Sequence, residues 1–174
     1  MLLLILFLSL FQDERWICRN GEVYFKSDAK LELIEANSSK LQGIINPYTG
    51  EFAFSVEMNS FEGFNSALQK EHFNENYLES PQYPKASFKG KIIEKVDFEK
   101  EGKSEIRAKG KLFIHGIEQE RIILSKLDIK GNKIKVSSFF TVVLNDHNIV
   151  IPKIVNQKIA EEIQVNINAQ FVKK

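Results

Sequence analysis

Three histidines, His72, His115 and His147, are the side chains best suited to metal binding or acid–base catalysis near neutral pH. His72 and Glu75 have the i, i+3 spacing that places two metal ligands on one face of a helix. The sequence supplies no third ligand beside them. We therefore interpret His72 as a brace where a helix meets a strand and His115 as a brace of a turn, and we predict no metal and no cofactor.

Serine chemistry is the second possibility, because Asp146 and His147 could supply two members of a catalytic triad. The sequence lacks the G-x-S-x-G pattern that presents a nucleophilic serine at a sharp turn. Ser104 and Ser138 are the hydroxyls expected on the inner faces of strands, and neither has a predicted base beside it. A P-loop, a dinucleotide fingerprint and a C-x-x-C pair are also absent from the sequence. These observations predict that the protein is not an enzyme.

The composition is that of one ordinary globular domain. The chain has 174 residues, of which 43% are hydrophobic and 27% are charged, and its formal net charge is +1. So small a charge creates no field that attracts polyanions, and we expect no nucleic-acid partner. Fourteen residues are phenylalanine, which suits either a filled core or an apolar cavity. The single cysteine, Cys18, excludes an intramolecular disulfide.

Alternation of apolar and polar residues with a period of two predicts strands along most of the chain. The clearest strand covers residues 52–58, and the turn at 46–50 connects it to an earlier strand at 41–45. Residues 31–36 are a mixed apolar segment that we interpret as a separate, irregular edge piece. The remaining predicted strands cover residues 23–26, 86–92, 104–114, 121–129, 134–144 and 163–171.

Residues 65–79 break this alternation and predict one helix. Phe64 and Leu68 are four residues apart, so they can share one helix face. Ser66 and Gln69 have the spacing of a capping box, in which the serine accepts a hydrogen bond from the backbone N–H three residues later. Pro81 follows the helical pattern, and proline cannot continue a helix.

Short strands that each have one apolar face predict an all-β domain, built either as a sandwich or as a barrel. The pattern contains about seven to nine antiparallel strands joined by hairpins. Gly90 and Gly110 fall on the inward sets of neighbouring strands. Glycines at such positions often mark a bend or a close approach of two backbones in a closing sheet.

Two segments carry a resemblance to a known family. HFNENYLESPQYPKASFKG at 72–90 and GKLFIHGI at 110–117 resemble the signature sequences of the YceI-like family of bacterial lipid- or polyisoprenoid-binding proteins. The resemblance runs from about residue 21 to the C-terminus, and it implies one domain over residues 21–174. It also implies an antiparallel lipocalin-like β-barrel of about eight strands with the helix at 65–79 between the early and middle strands.

The N-terminal residues LLLILFLSLF at 2–11 are apolar apart from Ser9. This run is shorter than the roughly 20 residues that a membrane-spanning helix needs. We interpret residues 1–12 as a signal peptide, with a buried N-terminal strand as the alternative. Together with the family resemblance, this predicts a periplasmic or secreted protein without a stable membrane span. The sequence is compatible with a monomer or a dimer.

A barrel of about eight strands can be filled by side chains or can hold one small ligand. The residues that we expect to line its interior are nearly all apolar, and none is ionised. They are Phe52, Phe54, Val56, Met58, Phe88, Ile92, Leu112, Ile114, Phe140, Val142, Val165 and Ile167.

The resemblance and the apolar interior predict a periplasmic binding or carrier protein. Its ligand would be an amphiphile with a long apolar tail, such as a polyisoprenoid, a quinone or an acyl lipid. The alternative is a barrel with a filled core that acts as a structural or stress-related interaction protein without a ligand. Alternation along the strands is compatible with both, because a core and a cavity require the same residue types. A lipid-modifying enzyme is the third hypothesis, and it would have to use Ser104 or Ser138.

Overall fold

The computed structural model describes residues 14–174 and contains an eight-stranded antiparallel β-barrel. The predicted fold class is therefore confirmed. The predicted signal peptide, residues 1–12, lies outside the described residues. The strands are β1 Trp16–Asp28, β2 Leu33–Ile45, β3 Glu51–Glu57, β4 Lys85–Ile92, β5 Gly102–Ile114, β6 Ile117–Lys130, β7 Lys133–Val143 and β8 Glu162–Lys173.

The strands pair in chain order, and β8 pairs with β1 to close the barrel. Closure satisfies the backbone N–H and C=O groups that an open sheet would leave at its two edges. The alternation of residue types then places one side of each strand in a dry interior and the other side in water.

The helix between β3 and β4 is shorter than predicted. Helix α1 covers Ala67–His72, and a wider π-helical turn, Phe73–Tyr77, continues it. We call residues 65–79, which include both, the helical segment. The predicted cap is confirmed, because Ser66 Oγ accepts a hydrogen bond from the backbone N–H of Gln69 at 3.1 Å. None of the helices in residues 14–174 is both long and apolar enough to cross a bilayer.

Two strands begin earlier or run further than the sequence indicated. β1 starts at Trp16, and its register shifts twice near Gly21, which interrupts the period of two. β2 is one continuous strand of 13 residues, so the interpretation of 31–36 as a separate edge piece was wrong. Ser38 lies inside β2 and is 1% exposed; its hydroxyl is 2.6 Å from Ser60 Oγ.

The strand connections alternate between two ends of the barrel because neighbouring strands are antiparallel. We call one end the mouth; it carries the connections at residues 29–32, 58–84, 115–116 and 144–161. We call the other the closed end; it carries the connections at residues 46–50, 93–101 and 131–132.

Large side chains fill the closed end. Trp16, Ile134 and Phe171 are essentially without solvent exposure. Phe54 lies edge-on to Phe171, with ring centroids 5.6 Å apart at an interplanar angle of 88°. Gly43 makes this contact possible, because a Cβ at that position would lie 2.8 Å from Phe171 Cζ. The interior at this end is therefore a packed core.

Candidate ligand cavity

A cavity of about 500 Å³ lies inside the barrel. Its lining extends from Ile45, Phe52 and Ile92, near the closed end, to Gln69 and Phe73 at the mouth. All twelve residues predicted to face the interior line it: Phe52, Phe54, Val56, Met58, Phe88, Ile92, Leu112, Ile114, Phe140, Val142, Val165 and Ile167. Contact between these residues and a ligand stays a prediction.

The floor of the cavity is aromatic. Phe52 packs against Phe88 with ring centroids 5.0 Å apart and against Phe54 at 6.0 Å. Phe54 also contacts Phe171 of the closed-end core. The three phenylalanines therefore join the cavity to the packed core and separate it from solvent at that end.

A second aromatic cluster lies at the upper wall of the cavity, where β1 meets the segment between β3 and β4. Phe25 of β1 stacks on Phe73 with centroids 5.3 Å apart and planes 14° from parallel. Phe61 and Phe64 contact the same two rings at centroid distances of 5.1–6.0 Å. All four residues line the cavity, so this phenylalanine cluster is both part of the cavity wall and the packing that holds the helical segment on the barrel.

Two polar contacts also hold the helical segment at the mouth. Gln69 Nε2 of α1 donates to Glu32 Oε1 in the β1–β2 connection at 2.9 Å. Asn65 Nδ2 donates to the carbonyl oxygen of Leu33 at 2.9 Å. α1 therefore rests on the rim of the barrel through side chains, and no residue of α1 is buried. Movement of α1 away from the rim breaks these two contacts, whereas Phe73 in the following turn is also held by its packing on Phe25.

His115 braces the turn between β5 and β6, as predicted. Its Nε2 lies 2.7 Å from Glu79 Oε2, and its Nδ1 lies 3.0 Å from the carbonyl oxygen of His147. Tyr83 packs edge-on to the imidazole with centroids 4.9 Å apart. His115 therefore ties the end of the helical segment to the turn at 115–116 and to the connection between β7 and β8.

His147 is completely buried, outside the residues that line the cavity. Burial lowers the pKa of its imidazole below the ordinary value, and Asp146 and Arg121 influence it in opposite directions. Its Nδ1 lies 3.3 Å from the carbonyl oxygen of Ile117. This contact is to backbone and not to a serine, so Asp146 and His147 do not form part of a triad.

The two serines considered for catalysis occupy different places. Ser138 lines the cavity, and its Oγ lies 2.6 Å from Oγ of Ser125, which is directly opposite in β6. Each serine hydroxyl thus has another serine hydroxyl as its partner. A neutral hydroxyl cannot act as the general base that a nucleophilic serine needs. Ser104 lies opposite Leu127 on the inward side of β5, as expected, but it is exposed near the closed end and does not line the cavity. Ser125 was missed by the sequence analysis.

The ionisable side chains among the described residues that line the cavity are all near the mouth. They are Glu32, His72, Tyr77 and Lys158. His72, considered above as a metal ligand, is one of them, and no group of three or more histidine, cysteine or carboxylate side chains within residues 14–174 could hold a metal ion. The deeper wall is apolar apart from serine hydroxyls. It can remove an apolar chain from water, and it offers no paired acid and base at the floor.

The sequence matches the family model of the YceI-like domain over residues 21–171. No curated protein matches it significantly.

Several solved structures share the fold. A polyisoprenoid-binding domain from Saccharophagus degradans, implicated in plant cell wall breakdown, superposes with a TM-score of 0.77 at 15% identity, over 93% of this chain and 99% of that one. Burkholderia cenocepacia BcnA gives 0.71 at 15% identity, over 86% and 95% of the two chains. The Campylobacter jejuni YceI protein gives 0.61 at 14% identity, over 80% and 84%. At these identities the structures show that the barrel is shared.

Proposed function

Because the chain belongs to the YceI-like domain family, we propose that it is a binding or carrier protein that holds one amphiphile with a long apolar tail. The tail is that of a polyisoprenoid, a quinone or an acyl lipid, and it lies in the cavity while the head group stays near the mouth. The ligand class is supported by the Saccharophagus degradans domain, which binds a polyisoprenoid. In this proposal the protein performs no chemistry on its ligand.

The observation that carries the proposal is the cavity of about 500 Å³ inside the barrel, whose lining is mostly apolar. This volume is within the range of roughly 300–1,000 Å³ that small-molecule sites occupy. Burial of a hydrocarbon chain contributes about 0.8 kcal/mol per CH₂ group. Part of this is offset by the loss of freedom of the chain, and a long tail still retains a large net gain.

The same observation disfavours the alternative of a barrel filled by its own side chains. Trp16, Ile134 and Phe171 pack the closed end beside β1, β7 and β8, whereas a cavity remains next to them and reaches the phenylalanine cluster at the mouth. An open interior costs packing energy. Its presence beside a well-packed end is best explained by a ligand that completes the packing.

We also propose that the protein works in the periplasm or outside the cell after removal of residues 1–12. The support is the apolar run at 2–11, which has the length of the hydrophobic region of a signal peptide. The test is the intact mass of the protein recovered from a periplasmic extract. A mass that still includes Met1 and the apolar run overturns this part of the proposal.

The experiment that tests ligand binding is native mass spectrometry of the full chain, followed by organic extraction and lipid analysis. We expect an added mass that corresponds to one polyisoprenoid, quinone or acyl lipid per barrel. If the protein is recovered without a ligand, it is titrated with a menaquinone, a polyprenyl phosphate and a long-chain fatty acid. Failure to bind all three overturns the proposal and favours the ligand-free interaction protein.

A further inference from the structure

Four large apolar side chains at the mouth are directed to solvent. Leu31, Leu68, Val150 and Ile154 are between 58% and 91% exposed. They belong to the three connections that surround the cavity opening: the β1–β2 connection, the β3–β4 segment and the β7–β8 connection. Isolated apolar residues on a surface need no explanation, whereas a set gathered around one opening marks an interaction site.

Contacts between these connections show that the four side chains belong to one rim. The backbone N–H of Leu31 donates to the carbonyl oxygen of Gln157 at 2.9 Å. Gln69, next to Leu68, donates to Glu32, next to Leu31, at 2.9 Å. The three connections therefore touch one another through the β1–β2 connection, which lies between the other two.

The rim is continuous with the cavity wall. Leu68 itself lines the cavity, and so do Ile149, beside Val150, and Val155, beside Ile154. An apolar chain that enters between these residues passes from exposed apolar side chains to buried ones, beside the polar side chains of Glu32, His72 and Lys158 at the opening. The rim is therefore placed to contact the phase from which such a chain comes.

The mouth carries more acidic than basic side chains. Its connections contain four lysines and seven carboxylates: Lys30, Lys70, Lys153, Lys158, Glu32, Glu62, Glu71, Glu75, Glu79, Asp146 and Glu161. Attraction to an anionic partner is therefore weak, and contact at this rim is driven by apolar surface. Lysine stems can cover apolar surface while their ammonium groups reach water or head groups.

We propose that the mouth is a membrane-docking surface, on which Leu31, Leu68, Val150 and Ile154 enter the interfacial region of a lipid bilayer. The inference rests on the proposed function, because a ligand with a long apolar tail has the bilayer as its reservoir. Side chains that dip below the head groups let the tail move between the bilayer and the cavity with little exposure to water. The barrel stays outside the hydrocarbon region.

The test compares two positions in the full chain. Ile154→Cys at the mouth and Tyr48→Cys at the closed end are each labelled with an environment-sensitive fluorophore. The native Cys18 is buried, and burial raises the pKa of its thiol, so it resists labelling in the folded protein. The vesicles consist of zwitterionic phosphatidylcholine, with or without nitroxide groups on the acyl chains.

We expect nitroxide lipids to quench the label at position 154 and to leave the label at position 48 unaffected, with little change on addition of salt. Equal quenching at both positions, or none at position 154, overturns the proposal. The proposal is also overturned if, in the absence of vesicles, the fluorescence of the label at position 154 reports burial as the protein concentration rises. The rim would then be covered by a second copy of the chain.

A variant pair separates docking from ligand binding. Leu31→Ser/Val150→Ser/Ile154→Ser changes rim residues that do not line the cavity. Ile122→Ser/Leu124→Ser/Phe139→Ser removes as many exposed apolar side chains from the outer barrel wall. We expect only the rim variant to slow ligand transfer from vesicles, by about tenfold or more, while both bind a detergent-dispersed ligand normally. If the label at position 154 is quenched but the protein binds no ligand, the proposed function is rejected and membrane docking is retained. If both variants transfer ligand at the same rate, membrane docking is rejected and the proposed function is retained.

Discussion

Gly90 lies directly opposite Gly110 across the β4–β5 ladder, and a Cβ on Gly90 would lie 2.0 Å from the carbonyl oxygen of Lys109. The corresponding Cβ on Gly110 would lie 2.3 Å from the carbonyl oxygen of Lys89. The two backbones thus approach more closely than any residue with a side chain allows. This confirms the close approach that the positions of the two glycines predicted.

We predict that Gly90→Ala lowers the free energy of unfolding by about 3 kcal/mol, because the added methyl must push two strands apart. The measurement is urea-induced unfolding. Lys89→Ala, on the outward side of the same strand, is the control and is expected to change stability by less than about 0.5 kcal/mol. Equal effects of the two substitutions would show that the close approach is not required.

Ala86 lines the cavity, whereas Ala53 on the neighbouring strand does not. Ala86→Phe should fill part of the cavity and weaken ligand binding about tenfold or more, equivalent to about 1.4 kcal/mol. Stability should change by less than about 1 kcal/mol, because the interior has room for the ring. Isothermal titration with a menaquinone measures the affinity, and Ala53→Phe is the matched control. Unchanged affinity in Ala86→Phe would place the ligand elsewhere.

The paired hydroxyls of Ser125 and Ser138 predict a coupled effect on stability. Ser138→Ala should cost about 1 kcal/mol, because it leaves the Ser125 hydroxyl, which is 5% exposed, without its partner. The double substitution Ser125→Ala/Ser138→Ala should cost less than the sum of the single ones, since no unpaired hydroxyl remains. Urea unfolding of the four proteins gives the coupling energy. Additive effects would mean that the two hydroxyls do not interact.

The same two serines test the enzymatic hypothesis. If any lipid-modifying turnover is found, Ser138→Ala should leave it undiminished, because the hydroxyl has no base beside it. A loss of turnover in this variant with ligand affinity unchanged would instead assign it a catalytic role.

His147 predicts a pH dependence of stability. Burial lowers the pKa of the imidazole in the folded state below the ordinary value of 6.5. Above that pH both states are neutral, and the full stability is present. As pH falls below it, the unfolded chain takes up a proton that the folded chain resists, so stability is lost until the lower folded pKa is reached.

We therefore expect the wild-type protein to lose more stability between neutral pH and about pH 5 than His147→Gln does. Urea unfolding at both pH values measures this difference. An imidazole NMR titration of the folded protein should give a midpoint for His147 below 6.5. A midpoint at or above this value would contradict the effect of burial.

The hydrogen bond between Gln69 and Glu32 predicts how ligand exchange is controlled. We expect the helical segment to open the mouth, so linking Glu32→Cys to Gln69→Cys with a short bifunctional maleimide should slow exchange about tenfold or more. The control is the same link between Lys109→Cys and Glu120→Cys on the outer wall, where the wild-type side chains form an ion pair at 3.1 Å. Exchange that is unchanged by the first link would exclude gating by this segment.

The sequence analysis predicted most strands because a closed barrel imposes a dry and a wet side on each of them. It missed the first residues of β1, because the register shifts near Gly21 break the period of two. It divided β2 because Ser38 is polar and points inward. A partner distant in sequence, Ser60, satisfies the hydroxyl, and no local pattern indicates such a contact.

The candidate site was predictable in its composition more than in its shape. The inward set was identified from alternation, and all its members line the cavity. Ser125 was missed because Ile122 and Leu124 make the outer face of β6 apolar as well, so the two faces look alike. The stacking of Phe25 on Phe73, and the position of the cavity beside the packed closed-end residues, depend on packing between distant parts of the chain.

Phe54 and Phe171 pack edge-on toward the closed end, whereas the exposed apolar side chains Leu31, Leu68, Val150 and Ile154 lie around the mouth. In the proposed carrier function, loading and release therefore use the same passage, at the mouth. We expect the protein to leave a donor membrane before it meets an acceptor membrane, which corresponds to ping-pong kinetics of transfer.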